Sequence, residues 1–295
     1  MTNYIIAIII FLILLLLYLH FRSHLKKIHT NDILYIDTSS KAQFDNACNS
    51  LQPFIYNYSI TPEEENYNLD YLKSNYKSYD VKLYASTNLN NYKIINLNNI
   101  GISNNNDISC NNDTSNNDLS FNNDNISYIS YNNEDFLKDT DIYNNIKKND
   151  KFLKPSYCNW SNYDIIFGEN ISTPLFSSKC NRNFFHCTEN NVKCAIVSFK
   201  YSNLFDSEKE NYHIKTNIPI FNSEKLLENN QWKKIKPIFI NLNKGDCLFL
   251  PPYWHCSFNF KDKSSIIKYN YSTLMNSTIF LKDKLEDIVN NIFCS

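Results

Sequence analysis

The chain has 295 residues, with 29 basic and 30 acidic side chains and a formal net charge of −1. That balance, without any run in which basic residues alternate with aromatics, excludes a nucleic-acid surface. A hydrophobic share of 43% and an aromatic share of 15% can fill the core of one large domain or two small ones.

Composition also shapes the expected turns and thiols. Three glycines fall far below the average of about 7%, so the abundant Asn is expected at turns where other proteins use glycine. Nine cysteines, odd in number and without a CxxC pair, argue against zinc ribbons, thioredoxin-like chemistry and a disulfide framework. Reduced thiols acting as small hydrophobes are the expected state.

The first element in chain order is YIIAIIIFLILLLLYL, Tyr4 to Leu19, sixteen residues without a charge. Continued through Phe21 it spans ~27 Å as a helix. No basic residue precedes it and no small-x-small cleavage site follows, so it predicts a retained single-pass transmembrane anchor rather than a cleaved leader. Arg22, Lys26 and Lys27 come after it, which by the positive-inside rule puts the remaining chain on the cytoplasmic side. Residues 1–30 are read as anchor and juxtamembrane segment, the latter holding His20, His24 and His29, and residues 31–295 as the domain they tether. Triplets such as Asn57-Tyr-Ser59 match a glycosylation pattern but arise by chance in a chain so rich in Asn.

Ile33 to Asp37 alternates like a short strand, and Ser39 to Leu51 has helical spacing with Phe44, Ala47, Cys48 and Leu51 on one face. PFIYNY reads as strand, Leu69 to Tyr79 as helix, and VKLYAS as strand. Between Asn88 and Asn133, 18 of 46 residues are Asn and the hydrophobic periodicity fades. Residues 104–125 are therefore expected to be a disordered insertion.

A helix is expected over NEDFLKDTDIYNNIKK, followed by strands at DIIFG, NFFHCT, KCAIVSFKY, KPIFINL, DCLFLPP, YWHCSFNF and SIIKYNYS. Short strands separated by polar turns predict a barrel or sandwich. Lys284 to Phe293 closes the chain as an amphipathic helix. His213 lies in the polar, loop-like EKENYHIKTN.

Within NLNKGDCLFLPPYWHCSFNF, Gly245-Asp246 supplies a turn and Pro251-Pro252 a break. After that break Tyr253, His255 and Ser257 share one face, and Trp254, Cys256 and Phe258 the other. GDCLFLPPYWHCSF resembles the distal-histidine strand of the JmjC/cupin-like superfamily of Fe(II)- and 2-oxoglutarate-dependent protein hydroxylases. FGENISTPLF, Phe167 to Phe176, is similar to that family's strand ending in T-P-x-H, and NFFHCTENNVKCAIVSF to the run that follows it. IDTSSKAQFDNACNSLQPFIYN and NEDFLKDT resemble its entry segment and pre-barrel helix, so the likeness covers most of Ile33 to Phe280.

The resemblance implies a mainly β fold, a double-stranded β-helix with flanking helices, here preceded by one transmembrane helix. It also implies a metal site of two histidines and a carboxylate. Carried onto this chain, it puts Phe176 where the first histidine stands, Ser178 where the aspartate stands, and His255 at the second histidine. Phenylalanine cannot ligate iron, so His255 is expected as a vestige that holds no metal alone. A rival pair, His186 and Glu189, falls on opposite faces of a strand unless a bulge intervenes.

For 2-oxoglutarate, the resemblance points to Thr173 and, one residue out of step, to Lys193. The expectation is a membrane-anchored, catalytically degenerate module that binds a protein or peptide and needs no cofactor. The alternative is an active dioxygenase, using Fe(II) and 2-oxoglutarate to hydroxylate a protein or peptide. A third reading is a structural membrane protein whose barrel is only a packing unit.

Overall fold

Strand-forming residues occur in both halves of the chain, and those from the first half extend a sheet built by the second. The computed structural model describes residues 2–24, 32–37, 40–57, 67–85, 88–100, 127–205, 207–210, 213–216 and 218–273. The expected insertion at 104–125, His29 and the helix expected at Lys284–Phe293 lie outside these residues.

In the first half, α1 (Thr2–His24) is followed by β1 (Leu34–Ile36), α2 (Lys41–Asn49), β2 (Phe54–Asn57), α3 (Leu69–Asn75), β3 (Asp80–Ala85) and β4 (Asn88–Asn96). β5 (Tyr128–Ser130), α4 (Glu134–Lys138), α5 (Ile142–Lys147) and α6 (Asp150–Leu153) lead into the second half. There come β6 (Cys158–Glu169), β7 (Ile171–Ser172), β8 (Leu175–Ser178), β9 (Arg182–Glu189) and β10 (Val192–Val197). β11 (Ser207–Glu210), β12 (His213–Thr216), α7 (Ser223–Glu228), β13 (Ile238–Leu242), β14 (Asp246–Leu250), β15 (His255–Phe260) and β16 (Ser264–Thr273) complete the order.

Two expectations are corrected here. The chain is mixed α/β, 39% strand and 32% helix, so the mainly β class is overturned by the helices of its first half. In α1 the described side chains run from Tyr4 to Tyr18 and all are exposed. Among the described residues no helix is long and apolar enough to cross a membrane, which overturns the single-pass anchor and the membrane localisation built on it.

Local chemistry explains most element ends. The Ser40 hydroxyl accepts from the Gln43 amide at 3.3 Å and caps α2, whose Phe44 and Cys48 face the core. The Asn68 side chain caps α3 in the same way, accepting from Tyr71 N at 2.7 Å. The helix expected over 133–148 is two, because the Thr140 hydroxyl donates back to Phe136 O and Leu137 O and the chain turns before α5. Asn132, Asn170 and Asn190 take positive φ (59°, 50° and 52°), as a glycine-poor chain requires, while Gly245 (φ 93°) makes the turn into β14.

The strands form a nine-stranded sheet, β1-β2-β14-β9-β16-β6-β5-β3-β4, and a seven-stranded sheet that includes β11-β12-β8-β15-β10-β13. β7 pairs with β15 beside that second path. The second half feeds both sheets: β6, β9, β14 and β16 go to the larger, and β8, β10, β13 and β15 to the smaller. β16 is buried along all ten residues between β6 and β9, the position expected of a central strand.

Three apolar layers result. Phe185, Ile166 and Ile266 of the larger sheet meet Cys194, Cys256 and Phe258 of the smaller one in the space between them. On the outer face of the larger sheet, α2 to α6 bury Phe44, Leu72, Phe136, Ile146 and Leu153 against Phe184, Ile267 and Tyr269. The outer face of the smaller sheet is covered too, with Phe205, Ile218 and Ile235 on Leu175, Ala195 and Val197.

Candidate functional site

At one end of the space between the sheets lies a pocket of about 420 Å³, open mouth included, lined by Tyr131, Asp164, Ile166, Thr173, Phe176 and Lys268 among others. β6 and β16 place Asp164 directly opposite Lys268, so both side chains rise from the same face of the larger sheet. Phe176 enters from β8 and packs edge-on against Phe185 (5.9 Å between centroids) and tilted on Phe258 (6.0 Å).

The charges at the pocket base are engaged by the protein. Asp164 accepts from the amides of Asn132 and Asn133, both at 2.8 Å, which fixes the turn after β5. Burial raises the Asp164 pKa, with Lys268 and those amides opposing the shift. The Lys268 ammonium stands 5.5 Å from the centre of the Phe176 ring. What faces an incoming group is therefore mainly ring and alkyl surface.

Thr173 lines this pocket, but its hydroxyl is already used: it accepts from Phe258 N at 2.8 Å and donates to Ser257 Oγ at 3.3 Å. The Ser257 hydroxyl in turn donates to Thr173 O at 2.6 Å, so the threonine clips the segment after β7 to β15. Lys193 is elsewhere. It is exposed, opposite Asn241 and Asn259, with its ammonium 5.0 Å from the Phe239 ring. The pair expected to hold 2-oxoglutarate is not brought together.

The expected metal positions do not converge either. His255 is the cross-strand partner of Ser177, and Cys256 that of Phe176. Directly opposed residues share a face and neighbours along a strand alternate, so Phe176 and Ser178 point between the sheets while His255 points out of them. There His255 is 3% exposed and meets Phe205 edge-on at 4.7 Å, and its Nδ1 has no hydrogen-bond partner among the described residues. Burial lowers its pKa to about 3, which keeps the ring neutral. The Ser178 hydroxyl accepts from Cys180 N at 3.1 Å. An aromatic ring, an engaged serine and a histidine on the other face do not fit Fe(II).

The rival pair fares no better, although the bulge it needs is present. The register of β9 against β16 shifts so that His186 opposes Ile267 and Glu189 opposes Ser265, which turns both toward the helix-covered face. That face lies away from the pocket. Burial lowers the His186 pKa to about 3 and raises that of the half-buried Glu189, whose carboxylate accepts from Leu69 N. Among the described residues no group of three His, Cys, Asp or Glu side chains is placed to hold a metal ion. Side chains of His20, His24 and His213 lie outside the described ones.

Sequence reasoning missed Asp164 and Lys268. The available signal was one charged residue at an inward position in each of two apolar strands, DIIFG and SIIKYNYS. No family model matches the chain, and no curated protein matches it in sequence.

Proposed function

We propose that the chain is a binding module related to the JmjC/cupin-like proteins, that it lacks their iron chemistry, and that the pocket at Phe176 receives an aromatic or branched aliphatic side chain of a protein or peptide partner. The observation that carries this reading is the Phe176 ring, packed between Phe185 and Phe258 at the position where the resemblance calls for a metal-binding histidine. The apportioning of β6, β9, β14 and β16 to one sheet and β8, β10, β13 and β15 to the other supports the relationship. The ligand class follows from the engaged charges: Asp164 is taken by two amides and Lys268 lies over a ring, so an apolar group meets no unanswered ion.

Two measurements on the full chain test it. With added Fe(II) and ascorbate, conversion of 2-oxoglutarate to succinate should stay at the level of iron alone, and protein-dependent turnover would overturn the reading. N-acetyl-phenylalanine amide or its leucine counterpart should bind saturably, and Ile166→Phe, which narrows the pocket, should weaken that binding. Absence of binding by both amides to the folded protein would refute the ligand class.

A further inference from the structure

β4 is the outermost strand of the nine-stranded sheet: β3 pairs with one edge, and among the described residues no strand pairs with the other. Its regular run against β3 is Tyr92 to Asn96, beyond which the register shifts toward Asn88, and along that run backbone amides and carbonyls face the edge left unpaired among the described residues. Tyr92 and Ile94, opposite Tyr84 and Lys82, remain 49% and 65% exposed. The Tyr92 ring lies 5.6 Å from that of Tyr84, which stacks at 4.0 Å on Tyr131 of the pocket rim. An aromatic row thus leads outward to the edge.

Charge decides what fits there. The Lys82 ammonium sits 5.6 Å from the Tyr92 ring, with Asp135 at 3.8 Å, and Lys93 projects from the opposite face, across from Leu83. β4 itself contains no acid, and Asp80 stands at its far end, opposite Asn96. A second copy of β4 pairing antiparallel about this region sets one Lys93 near the other on the same face, which is unfavourable. A strand with carboxylates on that face meets Lys93 at a cross-strand distance of ~5 Å instead.

We propose that β4 docks an extended acidic peptide by strand addition, its apolar side chains continuing the Tyr92 and Ile94 face and its carboxylates meeting Lys93. The probe is an acetylated nine-residue peptide alternating valine and glutamate, fluorescein-labelled and titrated with the full chain by anisotropy; the control carries lysine for glutamate. The glutamate peptide should bind saturably, and Lys93→Glu should weaken it about tenfold, ~1.4 kcal/mol, while improving the lysine peptide. Ile94→Lys, at an exposed position that leaves folding intact, should also weaken it. Equal binding of the two peptides, no binding of either, or indifference to Lys93→Glu would overturn the proposal. Ile166→Phe should leave this binding unchanged, which separates it from occupation of the pocket.

Discussion

His255 and Ser177 face each other directly across the β15–β8 pair, and both side chains are buried on the outer face of the smaller sheet. The next residues along, Cys256 and Phe176, face each other in the same way between the sheets. This one-residue offset governs which side chains can act together.

It yields a prediction about metal binding. Phe176→His with Ser178→Asp should not create a site that depends on His255. Adding Cys256→His to that pair puts two histidines and a carboxylate on one face, because opposed residues share a face and i, i+2 residues do as well. The triple variant should gain a saturable Co(II) absorption spectrum that survives His255→Ala and is lost when Cys256 is restored. Loss of the spectrum on His255→Ala would show that the register is wrong, provided circular dichroism confirms folding.

Acid stability should report His255. Its folded pKa of about 3 lies below its ordinary 6.5 because burial disfavours the cation. The unfolded chain therefore binds more protons between those values. The contribution of the neutral ring is full above pH ~6.5 and is lost at up to ~1.4 kcal/mol per pH unit as pH falls toward 3. His186 has the same depression and adds a similar slope. Urea unfolding at pH 7 and pH 5 should show His255→Leu losing less stability than the unsubstituted chain; identical losses would contradict the placement of this ring.

Removing the Asp164 carboxylate should loosen the turn that shapes the pocket. Asp164→Ala leaves the Asn132 and Asn133 amides without their acceptor and Lys268 without its opposed charge. A melting experiment should show a loss of ~2–5 kcal/mol. Asp164→Asn keeps one carbonyl oxygen and should lose less.

Arg182 offers a comparable test at the helical layer. Its guanidinium, 4% exposed, donates to Asp45 at 2.7 Å and to Leu153 O at 3.2 Å. Burial pushes the Asp45 pKa up, but hydrogen bonds from Lys41 and Arg182 outweigh it and the carboxyl stays low. Asp45→Ala should destabilise by ~3–5 kcal/mol by stranding a buried cation, whereas Arg182→Met should lose less, and equal losses would argue against that mechanism.

The ring cluster at Phe44 should be the most sensitive apolar position tested. Phe44 is fully buried and meets Phe54, Tyr56, Phe152 and Phe184 with centroids 4.5–6.0 Å away. Phe44→Ala should cost ~3–5 kcal/mol in denaturant unfolding. A loss below 1 kcal/mol would mean that α2 is not docked as described.

EKENYHIKTN, expected to be loop-like, instead contributes to β11 and β12. The sequence by itself determined β6, β9, β10 and β13 to β16 of the second half, the use of Asn at turns such as Asn132, Asn170 and Asn190, and the fact that His255 and Ser257 share one face while Cys256 and Phe258 share the other. These are local properties, set by a period of two and by side chains that tolerate turns. β4 and β5 were missed because their Asn-rich surroundings hide any alternation, and pairing with β3 supplies the order their composition lacks. Only the tertiary structure decided which face of β15 is inside. Alternation says which residues go together, not what covers them, and here both faces are buried, one by the opposing sheet and one by Phe205, Ile218 and Ile235. A histidine expected inward therefore lies outward, and Asp164 and Lys268, 104 residues apart in the chain, become neighbours because β6 and β16 pair at that register.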